Sequence, residues 1–418
     1  MLKVAAHPRS RSALIDWYLA NRRRSAEIFD LVAADSFEAR PIRLRHPIVF
    51  YEGHLPAFSY ITLVRGALAG PSLDEGLERL FQRGIDPDDD AAAAKSAPAT
   101  WPKRDEVRAF ADRCDREVIG ALESFPDQSE RCIEAANTIL EHEQMHHETL
   151  LYIIHQLPNE NKRRPASASA PSDGKLPPYA RAAIPAGIAT LGARHGDIPF
   201  GWDNEFGALR VDVPAFEIDK HSVTNAAYLE FVQAGGPPPP FWVLRDGVWH
   251  QRALFDEIPL PQAWPAYVTL DQATAFARWK GMRLPTEPEF HRAAYAAPEG
   301  EERRFPWGDE TPDSSRGNFD FARWDPVAVG SYPSGVSAWG VHDLVGNGWE
   351  WTSTPFEPLP GFAPMASYPL YSVDFFDAKH YVVKGASAVT ARDLVRRSLR
   401  NWFRPNYPFI YAKFRCVS

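Results

Sequence analysis

The sequence is short of cysteine, of long apolar runs and of clustered charge, and each shortage removes a class of protein. Three cysteines in 418 residues, Cys114, Cys132 and Cys416, are odd in number and far apart. They encode neither a disulfide framework nor a cysteine-based zinc site. No window approaches the ~18 apolar residues that a membrane span requires. The opening Met1-Leu2-Lys3-Val4-Ala5-Ala6-His7-Pro8-Arg9 turns polar too early for a signal-peptide core. A reduced, cytoplasmic protein without a membrane partner is expected. Acidic groups number 54 and basic groups 46, giving a net charge of −8 with no long run of either sign. Following a phosphate backbone takes clustered Lys and Arg, so nucleic acid is not an expected partner. Two residue types are abundant instead: 38 prolines, which imply long irregular segments, and 13 tryptophans, which need a sizeable core or aromatic pockets.

At roughly 100–200 residues per domain, the length suits two or three domains. Residues 1–160 read as helical, with apolar spacing over Ala13–Val32, about His54–Leu68, about Arg104–Leu122 and about Gln128–Gln156. Asp86–Pro102, with its aspartate and alanine runs and three prolines, reads as a long loop. Four amphipathic helices with uneven connections suit an up-and-down bundle. Residues 161–178 have almost nothing to bury and read as a linker. From 179 to 418 the pattern changes to short β-type runs (Ile184–Leu191, Ala208–Ile218, Tyr381–Lys384, Ala412–Val417) between Gly, Pro and Asp/Asn clusters. Two amphipathic helices interrupt them, Asn225–Ala234 and Leu270–Lys280. The expected fold class is an α domain followed by an α+β domain dominated by loops.

The most informative segment is Glu141-His142-Glu143-Gln144-Met145-His146-His147-Glu148. At ~100° per residue, His142 and His146 stand ~40° apart on one helix face, where two imidazoles can share a metal. His147 lies ~100° further round and points away. Glu148 is displaced to the other side, a poor third ligand and a better acceptor for a histidine N–H. Ile139 and Ile153 share the face of the pair, which therefore looks into a core. Two buried imidazoles cost several kcal/mol unless something binds them. A third ligand must come from another helix. His54, in the aromatic setting Phe50-Tyr51-Glu52-Gly53-His54-Leu55-Pro56-Ala57-Phe58, is the best candidate. Three neutral nitrogens with open positions suit Fe(II) or Zn(II).

A Gly-His on an early helix, followed far downstream by His-x3-His-x-Glu, resembles the DinB-type metal domain of the ergothioneine sulfoxide synthases. In the second half, Arg283-Leu284-Pro285-Thr286-Glu287-Pro288-Glu289-Phe290, Pro306-Trp307-Gly308, Gly346-Asn347-Gly348-Trp349-Glu350-Trp351-Thr352 and Lys413-Phe414-Arg415-Cys416 resemble the formylglycine-generating-enzyme type of C-type-lectin-like domain. Together these motifs span nearly the whole chain. The resemblance implies a non-heme Fe(II) enzyme that uses O2, with His54, His142 and His146 as ligands. Trp307, Trp349 and Trp351 read as core residues, and Glu350 as a buried hydrogen-bonding group.

By the same resemblance, Pro364–Phe376 matches the family's active-site loop and carries Tyr368 and Tyr371 as proton-donating candidates. A phenol with pKa near 10 keeps its proton at neutral pH yet can give it to reduced oxygen. Asn401 and Trp402 match the contacts to the betaine of hercynine (Nα-trimethylhistidine), whose quaternary ammonium an aromatic face recognises. Synthases that use γ-glutamylcysteine carry an Asp and an Arg where this chain has Phe403 and Tyr407. Without that charged clamp, a neutral, stackable partner is expected. The branch most resembled is that of the selenoneine synthases, which join a selenosugar to the imidazole C2 of hercynine. The alternatives are C–S bond formation with cysteine or γ-glutamylcysteine, and a non-catalytic module holding structural zinc. Formylglycine generation needs a pair of active-site cysteines, and this half of the chain has only Cys416.

Overall fold

The computed structural model describes residues 10–82, 100–126, 129–166 and 168–418. Its described residues fall into two units. A helical unit lies within Ala5–Ala166 together with Met365–Pro369, and a second lies within Ser167–Pro364 and Leu370–Ser418.

In the helical unit, α1 (Arg11–Phe29) starts at Ser10, whose hydroxyl accepts the Ala13 amide. It buries Leu14, Trp17, Tyr18, Asn21, Ser25 and Ile28, at the steps of three and four expected of one helical face. The next helix, α2 (Ile48–Ser59), runs on as a π-helix over Tyr60–Ala67. A short α3 (Glu75–Phe81) is capped by Asp74, whose carboxylate accepts the Gly76 and Leu77 amides. Then come α4 (Arg104–Ser124) and α5 (Glu130–His155), the latter entered by Ser129. Helix α1 packs against α4 and α5, and α2 packs against the same two, so four helices share one core. The start of α2 at Ile48 lies well before the expected His54. All of its residues are buried, and a helix buried on every side has no polar face to give its sequence a period. The expected loop at Asp86–Pro102 lies, as far as residue 99, outside the described residues.

In the second unit, β1 (Arg181–Ile184) pairs antiparallel with β4 (Phe216–Asp219), and β2 (Gly187–Leu191) with β3 (Leu209–Val213). The expected runs 184–191 and 208–218 thus each contribute to two strands, broken at Pro185-Ala186 and Pro214-Ala215, because proline has no amide for the ladder. β5 (Trp242–Arg245), β6 (Val248–Arg252) and β7 (Glu257–Pro259) form a meander. β8 (Gly348–Pro355), β9 (Tyr381–Ala386), β10 (Asn401–Phe403) and β11 (Ala412–Lys413) form a sheet in the order β10-β9-β8-β11, in which β8 and β11 run parallel. The expected helices are present as α6 (Asn225–Gln233) and α7 (Leu270–Trp279). An unexpected α8 (Glu287–Tyr295) packs its Phe290, Ala293 and Ala294 into a core with Ile184, Ile218 and Val417. Its start was written in the sequence, since Thr286 and Glu289 form a reciprocal capping box.

The Gly346-Asn347-Gly348 turn explains one motif. All three residues have positive φ, and a Cβ on Gly346 would lie 2.8 Å from the Asn318 amide nitrogen. The turn delivers Glu350 to the interior, where it pairs with Lys413 at 3.3 Å and with Arg415, all three side chains being fully buried. Trp349 and Trp351 are buried beside it, and Trp307 belongs to a smaller core cluster with Phe305 and Phe319. Among the described residues no helix is long and apolar enough to cross a membrane.

Candidate metal centre

Helices α2 and α5 bring His54, His142 and His146 together in the core of the helical unit. One potential ligand atom from each ring lies within 4.8 Å of the others. The ring centroids are 5.2 Å apart for His54 and His142, 5.0 Å for His54 and His146, and 4.5 Å for His142 and His146. His54 Nδ1 lies 2.6 Å from the Phe81 carbonyl oxygen. In the neutral ring Nδ1 therefore carries the proton, which leaves a lone pair on Nε2.

The buried atoms His54 Nε2, His142 Nδ1 and His146 Nδ1 have no hydrogen-bond partner. Polar atoms so buried are unfavourable without a partner, and at His54, whose Nε2 carries the lone pair, a bound cation removes the cost. Three neutral nitrogen donors fit a borderline metal such as Fe(II) or Zn(II). Burial keeps the rings neutral. It lowers the His54 pKa to about 4 against the raising effect of the Phe81 carbonyl, and drives His142 and His146 well below the ordinary imidazole value, with neighbouring imidazoles adding to the shift.

The Gly53-His54 dyad has a steric reason. A Cβ on residue 53 would lie 2.6 Å from the Phe81 ring, which is fully buried and cannot swing away. Glycine lets α3 approach α2 closely enough for the Phe81 carbonyl to reach the His54 ring. Gly53→Ala is expected to destabilise the unit by about 1–3 kcal/mol through overpacking. It should also weaken metal binding about 10–100-fold by loosening the His54 orienting bond. Titration of the metal-free protein with Co(II), with a parallel denaturation curve, measures both effects.

Aromatic rings frame the centre. Phe50 stacks on His54 at 5.1 Å, and Phe58 stacks on His142 at 3.5 Å with only 11° between planes. Tyr51 tilts against His146 at 5.6 Å. On the opposite side of α5, Glu143 accepts from Arg22 at 2.7 Å and from Ser25 at 2.5 Å, and Ser25 lies 2.9 Å from His147 Nε2. His147 thus faces away from the other two histidines, as its spacing requires. Burial raises the Glu143 pKa against the pull of Arg22. Glu148 accepts from the Tyr152 hydroxyl one turn on.

The sequence-selected residues of the second half divide between the two units. Tyr368 belongs to the helical unit, where its ring meets Phe58 at 5.2 Å and His142 at 6.1 Å, edge-on in both cases. Tyr371 belongs to the second unit, stacked on Trp202 at 4.0 Å and edge-on to Trp402 at 5.3 Å. Trp402 lies flat against Phe356 at 4.1 Å, and Phe375 tilts toward it at 5.4 Å. Asn401 accepts the Trp402 amide with its own side-chain oxygen at 2.8 Å. Phe403 and Tyr407 stack at 5.8 Å with 11° between planes. Sequence reasoning missed Phe81 and Trp202, and named Phe58 only as part of the aromatic setting of His54. Phe58 was legible in principle, one helical turn beyond His54 on the same stripe.

The second unit is that of the sulfatase-modifying factors: the family model for the sulfatase-modifying factor enzyme 1-like domain matches residues 167–418. Over 405 residues the chain is 32% identical to the hercynine oxygenase of Mycolicibacterium thermoresistibile, covering 89% of this chain and 87% of that protein. It is 31% identical over 400 residues to the hercynine oxygenase of Mycobacterium tuberculosis, covering 89% and 91% respectively. Ergothioneine biosynthesis protein 1 of Neurospora crassa is 27% identical over 484 residues, covering 90% of this chain and 54% of that protein. The chain belongs to the hercynine oxygenase family, with a helical N-terminal part and an FGE-sulfatase domain.

Proposed function

We propose that the protein is an O2-dependent non-heme Fe(II) enzyme that joins a chalcogen donor to the imidazole C2 of hercynine. The observation that carries this reading is the convergence of three neutral imidazoles, two buried and that of His146 half-buried, with ligand atoms within 4.8 Å of one another, in a chain related to hercynine oxygenases along most of its length. The helical unit is read as a DinB-type metal domain, and the protein as cytoplasmic. His54, His142 and His146 hold the metal. Bound Fe(II) supplies the activation of O2, which spin restrictions otherwise make sluggish toward organic molecules.

The other roles belong to the protein's own groups. Tyr368 holds a proton on its phenol oxygen beside His142 and supplies it as oxygen is reduced. Phe58 keeps that ring edge-on at the centre. Asn401 and Trp402 bind the trimethylammonium group through an oriented dipole and an aromatic face, with Tyr371 packed against Trp402.

The relatives' names favour sulfur, so oxidative C–S bond formation with cysteine or γ-glutamylcysteine is the first reading. It balances: the thiol hydrogen and the C2 hydrogen leave with one oxygen atom as water, and the second oxygen becomes the sulfoxide. A second reading, C–Se bond formation with a selenosugar, is favoured by the stacked Phe403–Tyr407 pair, which offers an uncharged aromatic surface to the donor. Assay of the iron-loaded protein with hercynine and equimolar thiols and selenosugar, in air and without O2, tests both. Coupling that persists undiminished without O2 overturns the iron–oxygen reading. Preference for the selenosugar replaces the first donor by the second, and preference for a thiol retires the second.

A further inference from the structure

The five residues Met365–Pro369 are inserted into the helical unit from a distant part of the sequence, and they are fastened there by side chains with no other assigned task. The Ser367 amide donates to the Glu134 carboxylate at 2.7 Å. The Ser367 hydroxyl is 2.8 Å from the Thr138 hydroxyl. Met365 is buried in the same segment. Glu134 and Thr138 stand at successive four-residue steps on α5, and the next two steps along that helix are His142 and His146. At 1.5 Å per residue, Thr138 and His142 lie ~6 Å apart along the axis, about the reach of one residue and its side chain. The chain crosses this interval in the same direction. Ser367 is fixed at Thr138, and the ring of the following Tyr368 arrives beside His142 and Phe58.

We infer that Glu134 and Thr138 are positioning residues, which set the distance between the Tyr368 phenol and the three-histidine centre by holding Ser367. This rests on the role given above to Tyr368. The chemical logic is one of ruler and anchor. The α5 backbone that carries two of the imidazoles also carries the two groups that fix the tyrosine's neighbour, so proton donor and histidines share one rigid frame of reference. A loop held only by aromatic contact would leave the ring free to slide along Phe58. Two hydrogen bonds to a single residue, one at its amide and one at its side chain, fix both the position and the rotation of the chain there. Misplacement by about 1 Å in such a site costs on the order of 100-fold in rate. Thr138 is fully buried and its hydroxyl needs a partner, which Ser367 provides.

The test is a double-mutant cycle on the full chain. Thr138→Val removes the hydroxyl at constant shape, Glu134→Leu removes the acceptor, and Glu134→Gln retains one. Co(II) affinity should match that of the parent protein in all three, because the histidines are untouched. Amide exchange in the peptide containing Ser367 and Tyr368 should rise at least ~10-fold in Thr138→Val and Glu134→Leu, and stay near the parent rate in Glu134→Gln. These two readouts need no substrate, so they stand whether or not hercynine proves to be coupled. In the active enzyme, kcat should fall ~10–100-fold in Thr138→Val with KM for the donor nearly unchanged, and adding Tyr368→Phe should cause no loss beyond that of Tyr368→Phe alone. Unaltered amide exchange overturns the inference. So do fully additive losses, which would mean that the threonine acts independently of the tyrosine.

Discussion

Replacing His54 with alanine is expected to reduce bound Fe(II) at least ~100-fold in affinity and to remove coupling activity with it, while leaving the helical unit folded. The affinity figure is a lower bound, because loosening a ligand's hydrogen bond already costs 10–100-fold and here the ligand itself is lost. His54 is the one imidazole of the three that comes from α2, so its loss leaves a pair on a single helix, spaced for two of the positions around a metal and no more. Folding should survive because the metal-free His54 ring is neutral, and its loss removes contacts with Phe50, Phe58 and His146 and one hydrogen bond, to the Phe81 carbonyl, without stranding a charge. Iron analysis after gel filtration, together with the far-ultraviolet spectrum, measures both halves. Retention of stoichiometric iron in His54→Ala would mean that the three-histidine reading is wrong. His142→Ala and His146→Ala should behave alike, since each ring completes the same cluster.

The second large effect concerns stability rather than chemistry. Glu350→Gln should destabilise the second unit by about 3–5 kcal/mol, because it leaves the buried Lys413 and Arg415 side chains without their counter-charge. In a unit of this size the thermal midpoint should fall by roughly 10 °C. Arg415 keeps carbonyl acceptors at Asp219, Lys220 and His342, so its geometry is held in part by the backbone. Among the described residues, Lys413 keeps the Gly348 carbonyl as its one neutral hydrogen-bond partner. Burial lowers the Lys413 pKa even with Glu350 present. A group whose folded pKa lies below its unfolded value favours folding most above the unfolded value and loses that contribution as pH falls. The deficit of Glu350→Gln should therefore narrow as the medium is made more alkaline, toward the ordinary lysine pKa. No deficit would show that Glu350 is dispensable to the buried pair, and a deficit that is the same at all pH values would show that the charge on Lys413 is not its cause.

How much of this was legible beforehand depends on the range of the interaction that carries the information. The α5 histidines are a local feature: four residues on a helix place two rings on one face, whatever surrounds them. Ser129, Thr224 and Thr269 cap their helices as their positions indicate, and Thr286 with Glu289 marks a helix start that was there to be read. The first four strands of the second unit were read as two runs, because proline at 185 and 214 breaks ladders that hydrophobic alternation alone makes continuous, and β5, β6, β7, β8 and β10 fall outside every expected run. The start of α2 was obscured for the opposite reason. Its burial is complete, and a sequence with no polar side has no period to detect.

The sequence by itself determined the change from helical to β-type patterning, the lack of a cysteine framework, the helical histidine pair and the glycine that precedes His54, because each follows from composition or from spacing within one element. Only the tertiary structure decided that His54 meets that pair, that the Phe81 carbonyl fixes its tautomer, and that Tyr368 lies with the helices while Tyr371 lies against Trp202 and Trp402. The contact between Thr138 and Ser367 spans 229 residues of chain. Such a contact depends on packing summed over many side chains, each worth little, and no local pattern in the sequence records that sum.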